Sequence, residues 1–482
     1  MYVLCATSWK ECWLTHWNVG LVVSIDMLPD DVLLEIFDFV EAMEEDEGEL
    51  SKMEAWQALV HVCRRWRSVV FGSPRRLELK LVCTTKTPAR ATLDVWPALP
   101  LVVEGHTKNV DNIIALLECS DRINQIYLRG SNWGDISEAM EVPFPELTDL
   151  WLRHLRNETM TEPVLPLSDS FLGGSAPRLR DLELDNVPFP GLPKLLSSAT
   201  HLTKLYLGNI PHSGYISPEA MVTCLSLLTS LKTLILEFLS PQSCPDRESR
   251  RSPPSTRTVL PALTRFEFRG VCEYSEDLVA RVDAPRLNFF ETMFFNDIIF
   301  YTPQFTQFIS RTPTMEAFDK ATVILTYHHA SIELSSNTFD GRRVRRLKVG
   351  ISCGMRDWQV SFLEQVCTSS LPPLSVLENL YITNDRSLGD DIDNSSWMEL
   401  HPFATVKNLY LSEEYAPRIV PALQELAAGR VTDVLPNLQN IFVAKLQPSG
   451  PVREGIGKFI AARQLAGHPT TVSRWSSSMT MV

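Results

Sequence analysis

The sequence predicts an α/β protein in two parts: a small all-α module near the amino terminus and, behind it, a solenoid of short parallel strands alternating with helices. Two helix-spaced apolar patterns between residues 25 and 77 predict the module. A motif of the form apolar-x-x-apolar-x-apolar recurs from residue 123 to residue 443, with helix-spaced segments between its copies, and predicts the solenoid.

Length and composition are consistent with that division. At 482 residues the chain is too long for one ordinary core and suits two or three domains, or one elongated array. A content of 44% hydrophobic and 21% charged residues is that of a folded protein, and the net charge of -13 argues against a general nucleic-acid binder or a polybasic membrane anchor. Ten cysteines lie scattered without zinc-finger spacing, so a reducing compartment, cytoplasmic and/or nuclear, is expected. The longest purely apolar runs fall short of the roughly 18 residues that a membrane helix needs. Residues 1–24 are rich in Trp but lack a basic start and an unbroken apolar core, so they are expected to be a poorly ordered leader rather than a signal peptide.

The module begins at LPDDVLLEIFDFV, residues 28–40. Pro29 suits the first turn of a helix, Asp30 and Asp31 put negative charge at its positive end, and Val32, Leu33, Ile36, Phe37 and Val40 recur at helical spacing. In the second pattern Trp56, Leu59, Val60, Cys63 and Arg67 fall along one side, Val62 and Trp66 widen it, and Ser73-Pro74 ends it. Between them EAMEEDEGEL is too acidic to pack. So few short helices bury little area by themselves, so some apolar surface should be left for a partner.

These residues carry a resemblance. LPDDVLLEIFDFV together with VCRRWRSVVFGSPRRLEL resembles an F-box, the helical module that docks on the Skp adaptor of cullin-RING ubiquitin ligases, over residues 25–77. Its leading elements here are Leu28, Pro29, Val32, Ile36, Val62, Cys63, Trp66 and Arg67, and the resemblance implies that these, with Leu33 and Phe37, meet the adaptor. The acidic insert at 41–54 is longer than the family's usual link. On the residues alone, a helical hairpin capping the next domain is the alternative.

From residue 78 to 447 the chain is expected to form the solenoid. The motif reads INQIYL at 123, LTDLWL at 147, LRDLEL at 179, LTKLYL at 202, LKTLIL at 231 and LTRFEF at 263. It returns as LNFFET at 287, VRRLKV at 344, LENLYI at 377, VKNLYL at 406 and LQNIFV at 438, with one long gap around 315 where a unit is degenerate. Each copy reads as a short strand, and segments such as VDNIIALLEC and PALQELAAG between copies read as helices. Parallel strands joined by helices bury both faces, so the Leu residues should fill the inside, with strands lining a concave face and helices a convex one. The array resembles irregular leucine-rich repeats. The family's Asn after the strand is mostly missing, with Val187, Ile210 and Leu239 at three such positions.

The residue between the last two apolar positions of each motif points away from the core. That column holds Tyr127, Trp151, Glu183, Tyr206, Ile235, Glu267, Glu291, Lys348, Tyr381, Tyr410 and Phe442. Its aromatic members, Tyr127, Trp151, Tyr206, Tyr381, Tyr410 and Phe442, are the candidate residues for binding a protein substrate, since exposed aromatics commonly anchor interfaces; the alternative is that aromatics suit any strand surface. The acidic middle, through Glu267 and Glu291, separates two aromatic ends.

Other features yield less. Residues 240–257 read as a loop, with Ser252 before Pro253 a candidate phosphorylation site; RRVRRLK at 342–348 overlaps a strand; and His328-His329 lacks partners at metal-ligand spacing. None of the nucleophile-elbow, zinc-protease, dinucleotide or Walker motifs is present, so no catalytic residue, metal or cofactor is expected. Residues 448–482 should supply a capping helix, with Val452, Ile456, Phe459 and Ile460 on one face, and then a loose tail. The resemblance as a whole implies a non-enzymatic substrate receptor that joins a protein substrate to the Skp adaptor and, through it, to a cullin, with no nucleic acid or membrane partner. A scaffold that uses the same surfaces without ubiquitin transfer is the alternative, and an enzyme with an unrecognised site is a more distant one.

Overall fold

The structure, a computed structural model, describes residues 27–44, 55–73, 80–84, 88–95, 98–131, 133–155, 166–244, 256–295, 302–337, 344–372, 374–384, 403–413, 416–427, 435–447 and 449–475. The expected leader, most of the acidic insert and Ser252 lie outside these residues. The chain divides into two compact units, residues 1–83 with 93–102, and residues 84–92 with 103–482.

The first unit holds α1 (Asp30–Glu44), α2 (Ala55–Val62) and α3 (Arg64–Gly72). The amide of Leu33 donates to the carbonyl of Pro29 at 3.0 Å, which starts α1 at the proline, and Asp30 and Asp31 occupy its first turn. The second helical pattern is broken at Cys63. That residue is extended, at φ -155° and ψ 171°, and its Sγ accepts the amide hydrogen of Trp66, so it ends α2 and caps α3. Leu33, Leu34, Phe37, Val60, Trp66, Val69 and Val70 are buried, each contributing about 1.5–3 kcal/mol if fully removed from water.

The chain then runs through β1 (Leu81–Thr84), α4 (Ala89–Val95) and β2 (Leu101–His106). In the second unit the order continues with α5 (Val110–Leu117), β3 (Ile123–Gly130), α6 (Gly134–Ala139), β4 (Asp149–His154), β5 (Asp181–Asp185), α7 (Leu192–Ser198), β6 (Lys204–Ile210), α8 (Pro218–Leu225) and β7 (Thr233–Phe238). Next come β8 (Thr258–Val259), β9 (Arg265–Gly270), α9 (Cys272–Ala280), β10 (Val282–Asp283), β11 (Phe289–Phe295) and α10 (Pro303–Arg311). The small strands β8 and β10 pair with each other, apart from the main sheet.

From β3 to β11 the large strands form one parallel sheet in the order β3-β4-β5-β6-β7-β9-β11. The motif explains the register. Leu150 and Leu152 pair with Leu182 and Leu184, and these with Leu205 and Leu207, all buried on one face. The residue between each pair is half-buried on the other face.

The expectation of parallel strands throughout fails after α10. Strands β12 (Lys320–Leu325), β13 (His329–Asn337) and β14 (Val344–Ser352) form an antiparallel meander inside the sheet, in the order β11-β14-β13-β12-β15. VRRLKV therefore pairs beside LNFFET, with two strands between it and the next motif. The cause is local: Ala330, Ile332 and Leu334 alternate at period two and are buried, and β13 follows β12 after a short turn with no helix to carry a parallel crossover.

Parallel pairing resumes through α11 (Arg356–Ser369), β15 (Asn379–Asn384), β16 (Asn408–Leu411), α12 (Ala416–Ala427), β17 (Asn440–Ala444), α13 (Pro451–Leu465) and β18 (Thr471–Trp475). Helix α13 buries Ile456 and Phe459, while Val452 and Ile460 are half-buried. It lies close to α12 at Gly455, where a β-carbon would meet Val420 Cγ1 at 2.1 Å. Residues 471–475, expected as loose tail, are a strand bonded along β17. Among the described residues no helix is long and apolar enough to cross a membrane.

Candidate functional site

Two surfaces carry the residues singled out by the sequence. In the first unit, α1 splits its apolar residues between two sides. Leu33 and Phe37 turn inward, and the Phe37 ring packs on Trp66 with centroids 4.9 Å apart. Val32 and Ile36, one helical turn apart, are 38% and 37% exposed, and Val62 at the end of α2 is 58% exposed. The expectation that Leu33, Phe37 and Trp66 present themselves to a partner is therefore corrected: they hold the helices together, because the apolar stripe is wider than one contact face. Exposed Met27, which the sequence reading passed over, adds to the apolar surface.

The start of α1 is fixed by a residue that the motif did not pick out. Arg65 donates from Nη2 to the Leu28 carbonyl at 2.5 Å and to Asp30 Oδ1 at 2.7 Å, and from Nε to the same oxygen at 3.2 Å. Leu28 is half-buried and Pro29 exposed at this anchored turn. Arg67 donates to the Val60 carbonyl at 3.0 Å, and the half-buried Cys63 caps α3. Cys63 and Arg67 thus shape the bend between α2 and α3.

In the second unit the outward column forms one continuous ladder. Tyr127 pairs with Trp151, Trp151 with Glu183, Glu183 with Tyr206, Tyr206 with Ile235, Ile235 with Glu267, and Glu267 with Glu291, which faces Lys348. The meander then inserts Glu333 and Thr322 before Tyr381, Tyr410, Phe442 and Ser473 complete the row. Every member read from the motif is half-buried.

The two aromatic ends differ. Tyr381, Tyr410 and Phe442 stack as a deck, with centroids 4.1 Å and 4.6 Å apart. Trp475 meets both tyrosines edge-on and donates to the Leu411 carbonyl at 3.2 Å, while Lys320 Nζ lies 4.3 Å from the Tyr381 centroid. Burial and the neighbouring Tyr410 push the Tyr381 phenol up to about 12. Beside the deck Asn440 donates to Asn408 at 2.8 Å and Asn408 to Asn379 at 3.0 Å, an amide ladder at the strand starts. Tyr127 and Trp151, at the other end, make no such stack. There burial, followed by the carboxylates of Asp149, Glu104, Asp181 and Glu183, raises the Tyr127 phenol to about 12.

The acidic middle lines a cavity of about 290 Å³ with Glu237, Glu267, Glu291, Arg269, His328 and His329 on its walls. Its charges are balanced from within: Lys348 pairs with Glu291 at 2.6 Å, Arg265 pairs with Glu267, and Arg269 attracts Glu237, whose carboxyl burial raises. His329 Nδ1 lies 2.8 Å from Thr326 Oγ1. Among the described residues no group of His, Cys, Asp and Glu has the arrangement of a metal site.

A family model of the F-box domain matches residues 25–77. No curated protein matches the sequence. Among F-box proteins generally, the domain typically binds the Skp adaptor and the protein is a non-catalytic part of a ubiquitin ligase. The helices α1 to α3, with Leu28 and Pro29 at their start and Trp66 in their core, are the F-box domain of this chain.

Proposed function

We propose that the chain is the substrate-recognition subunit of a ubiquitin ligase of the Skp-cullin-F-box type. The F-box docks the Skp adaptor, and the outward face of the sheet holds a protein substrate within reach of the transferred ubiquitin. The mechanism is proximity: two binding surfaces on one chain raise the local concentration of a substrate lysine near the activated ubiquitin.

The observation that carries this reading is the exposed apolar surface of the F-box, with Val32 and Ile36 on α1 and Val62 on α2 outside the domain's own core. Leu28 and Pro29 at the first turn of α1, and Cys63 and Arg67 at the bend between α2 and α3, flank that surface and join the contact. Parallel strands linked by helices, with inward Leu ladders, support treating the second unit as a solenoid related to leucine-rich repeats. In it the aromatic ladder members Tyr127, Trp151, Tyr206, Tyr381, Tyr410 and Phe442 are the substrate contacts.

Pull-down of the Skp adaptor by the full chain, repeated with Val32→Asp and Ile36→Asp together, tests the docking half. Binding lost in the double variant supports the reading, and no binding by the unsubstituted chain ends it. Ubiquitin-dependent turnover of a protein held by the sheet separates a ligase receptor from a scaffold.

A further inference from the structure

The outward face of the sheet settles most of its charges internally, and the exceptions are informative. Glu183 is bonded by Lys204 at 2.5 Å, Asp185 by Arg153 at 3.0 Å and Glu333 by Arg346 at 2.6 Å. Even Glu267 and Glu291, which face each other across β9 and β11, each have a cation of their own. Asp149 and Asp181 also face each other directly, across β4 and β5. Their hydrogen bonds come from neutral donors: Gln125 Nε2 at 2.9 Å and Thr148 Oγ1 at 2.6 Å to Asp149, and Thr203 Oγ1 at 2.9 Å to Asp181.

Like charges directly opposite on a sheet destabilise it. Burial, with a contribution from Asp149, raises the Asp181 carboxyl above its ordinary value, against the opposing pull of Thr203 and Lys204. Lys204 faces Asp181 across β5 and β6 and attracts its carboxylate, but its ammonium bonds Glu183, and Arg153 bonds Asp185. Two residues along β4 from Asp149, Trp151 faces Tyr127 of β3; both are half-buried, and an aromatic face attracts a cation.

We infer that this end of the sheet docks a basic segment of the captured protein, a Lys or Arg side chain seating on Asp149 and Asp181 with its stem against Tyr127 and Trp151. The inference rests on the reading of the sheet as the substrate-holding surface and names the chemistry of what it holds. A cation there adds to the opposite charge that Lys204 divides between Asp181 and Glu183, and the aromatics give it an apolar flank. The cavity of the acidic middle is a poorer seat, because Arg265, Arg269 and Lys348 already neutralise its three glutamates.

The test uses the full chain and a fluorescein-labelled peptide of alternating Arg and Gly, with the Glu-Gly peptide as control. The Arg peptide should bind and the Glu peptide should not. Asp149→Asn with Asp181→Asn should weaken Arg-peptide binding about tenfold or more, whereas neutralising the exposed Glu138 and Glu141, an equal change in net charge, should leave it within about twofold. Equal weakening by both pairs, or none by the Asn pair, overturns the inference. Thermal melting guards against a purely structural role: removing the opposed charges should leave the melting temperature unchanged or higher, and a clear fall would mean that the aspartates serve the fold. Adaptor pull-down with the same variant separates the two claims. Unchanged peptide binding with the adaptor still bound defeats this inference alone, while an unsubstituted chain that binds no adaptor defeats the reading beneath it.

Discussion

Tyr381 and Tyr410 stack ring on ring across β15 and β16, with planes 5° from parallel, and Trp475 from β18 meets both edge-on. The cluster ties three strands together on the outward face. Tyr410→Ala removes the middle ring and should cost about 1–3 kcal/mol of stability, read from urea unfolding. Combined with Tyr206→Ala it should weaken capture of the substrate protein while leaving adaptor binding intact; an unchanged set of captured proteins would count against the aromatic ladder as a contact surface.

The two sides of α1 should respond differently to substitution. Val32→Asp with Ile36→Asp is expected to abolish adaptor binding with little change in unfolding midpoint, because both side chains are already partly in water. Leu33→Ala empties a fully buried position and should cost about 2–5 kcal/mol. Arg65→Ala should fall between, loosening the first turn by releasing Leu28 and Asp30 and weakening docking severalfold without unfolding the chain.

Arg463 is fully buried on α13, where its guanidinium donates to Thr470 Oγ1 at 2.8 Å and to the carbonyls of Leu435, Pro436 and Leu438. Burial lowers its pKa, yet its bonds to the turn before β17 keep it in place. Arg463→Met should destabilise the carboxyl-terminal strands by about 3 kcal/mol, since three carbonyls lose their donor. Hydrogen exchange should show the loss first in β17 and β18.

The tyrosines provide a pH readout. Tyr127 and Tyr381 titrate near 12 in the fold against an ordinary value of 10.0, so their protonated forms are favoured in the native state. A raised pKa contributes stability that is fully present below the ordinary value and is lost as pH rises through the folded one. Native protein at about pH 11 should therefore show tyrosinate absorbance well short of its ten tyrosines, with the remainder appearing as the fold gives way. Tyr127→Phe should flatten part of that alkaline loss.

Much of this architecture was legible because the motif fixes burial at every second position. Leu182 and Leu184 inward with Glu183 outward follows from sequence alone, and so does the ladder from Tyr127 to Glu291. The meander was not, because Ala330, Ile332 and Leu334 alternate without the motif's spacing and the reversal of β13 depends on a turn rather than on a helix. Strand β18 was hidden for a similar reason: TVSRW offers little apolar signal and pairs through its backbone and Trp475. In the F-box the first helix was legible and its inward side was not, since a stripe of five apolar residues does not say which of them meet the other helices.

The reversal at β13 also bears on how the chain is made. On the side away from β9, strand β11 pairs with β14, so Glu291 and Lys348, bonded in the fold, are 57 residues apart in sequence. A chain growing from its amino terminus completes the parallel tract up to β11 and then holds an open edge until the meander has emerged, the situation in which unpaired strands recruit wrong neighbours. The hairpin contacts of β12, β13 and β14 are by contrast local and quick to form. Slow translation or a chaperone acting on the stretch between residues 296 and 343 should therefore set the yield of native protein, and a circular permutant opened between β14 and β15 would move the vulnerable edge elsewhere.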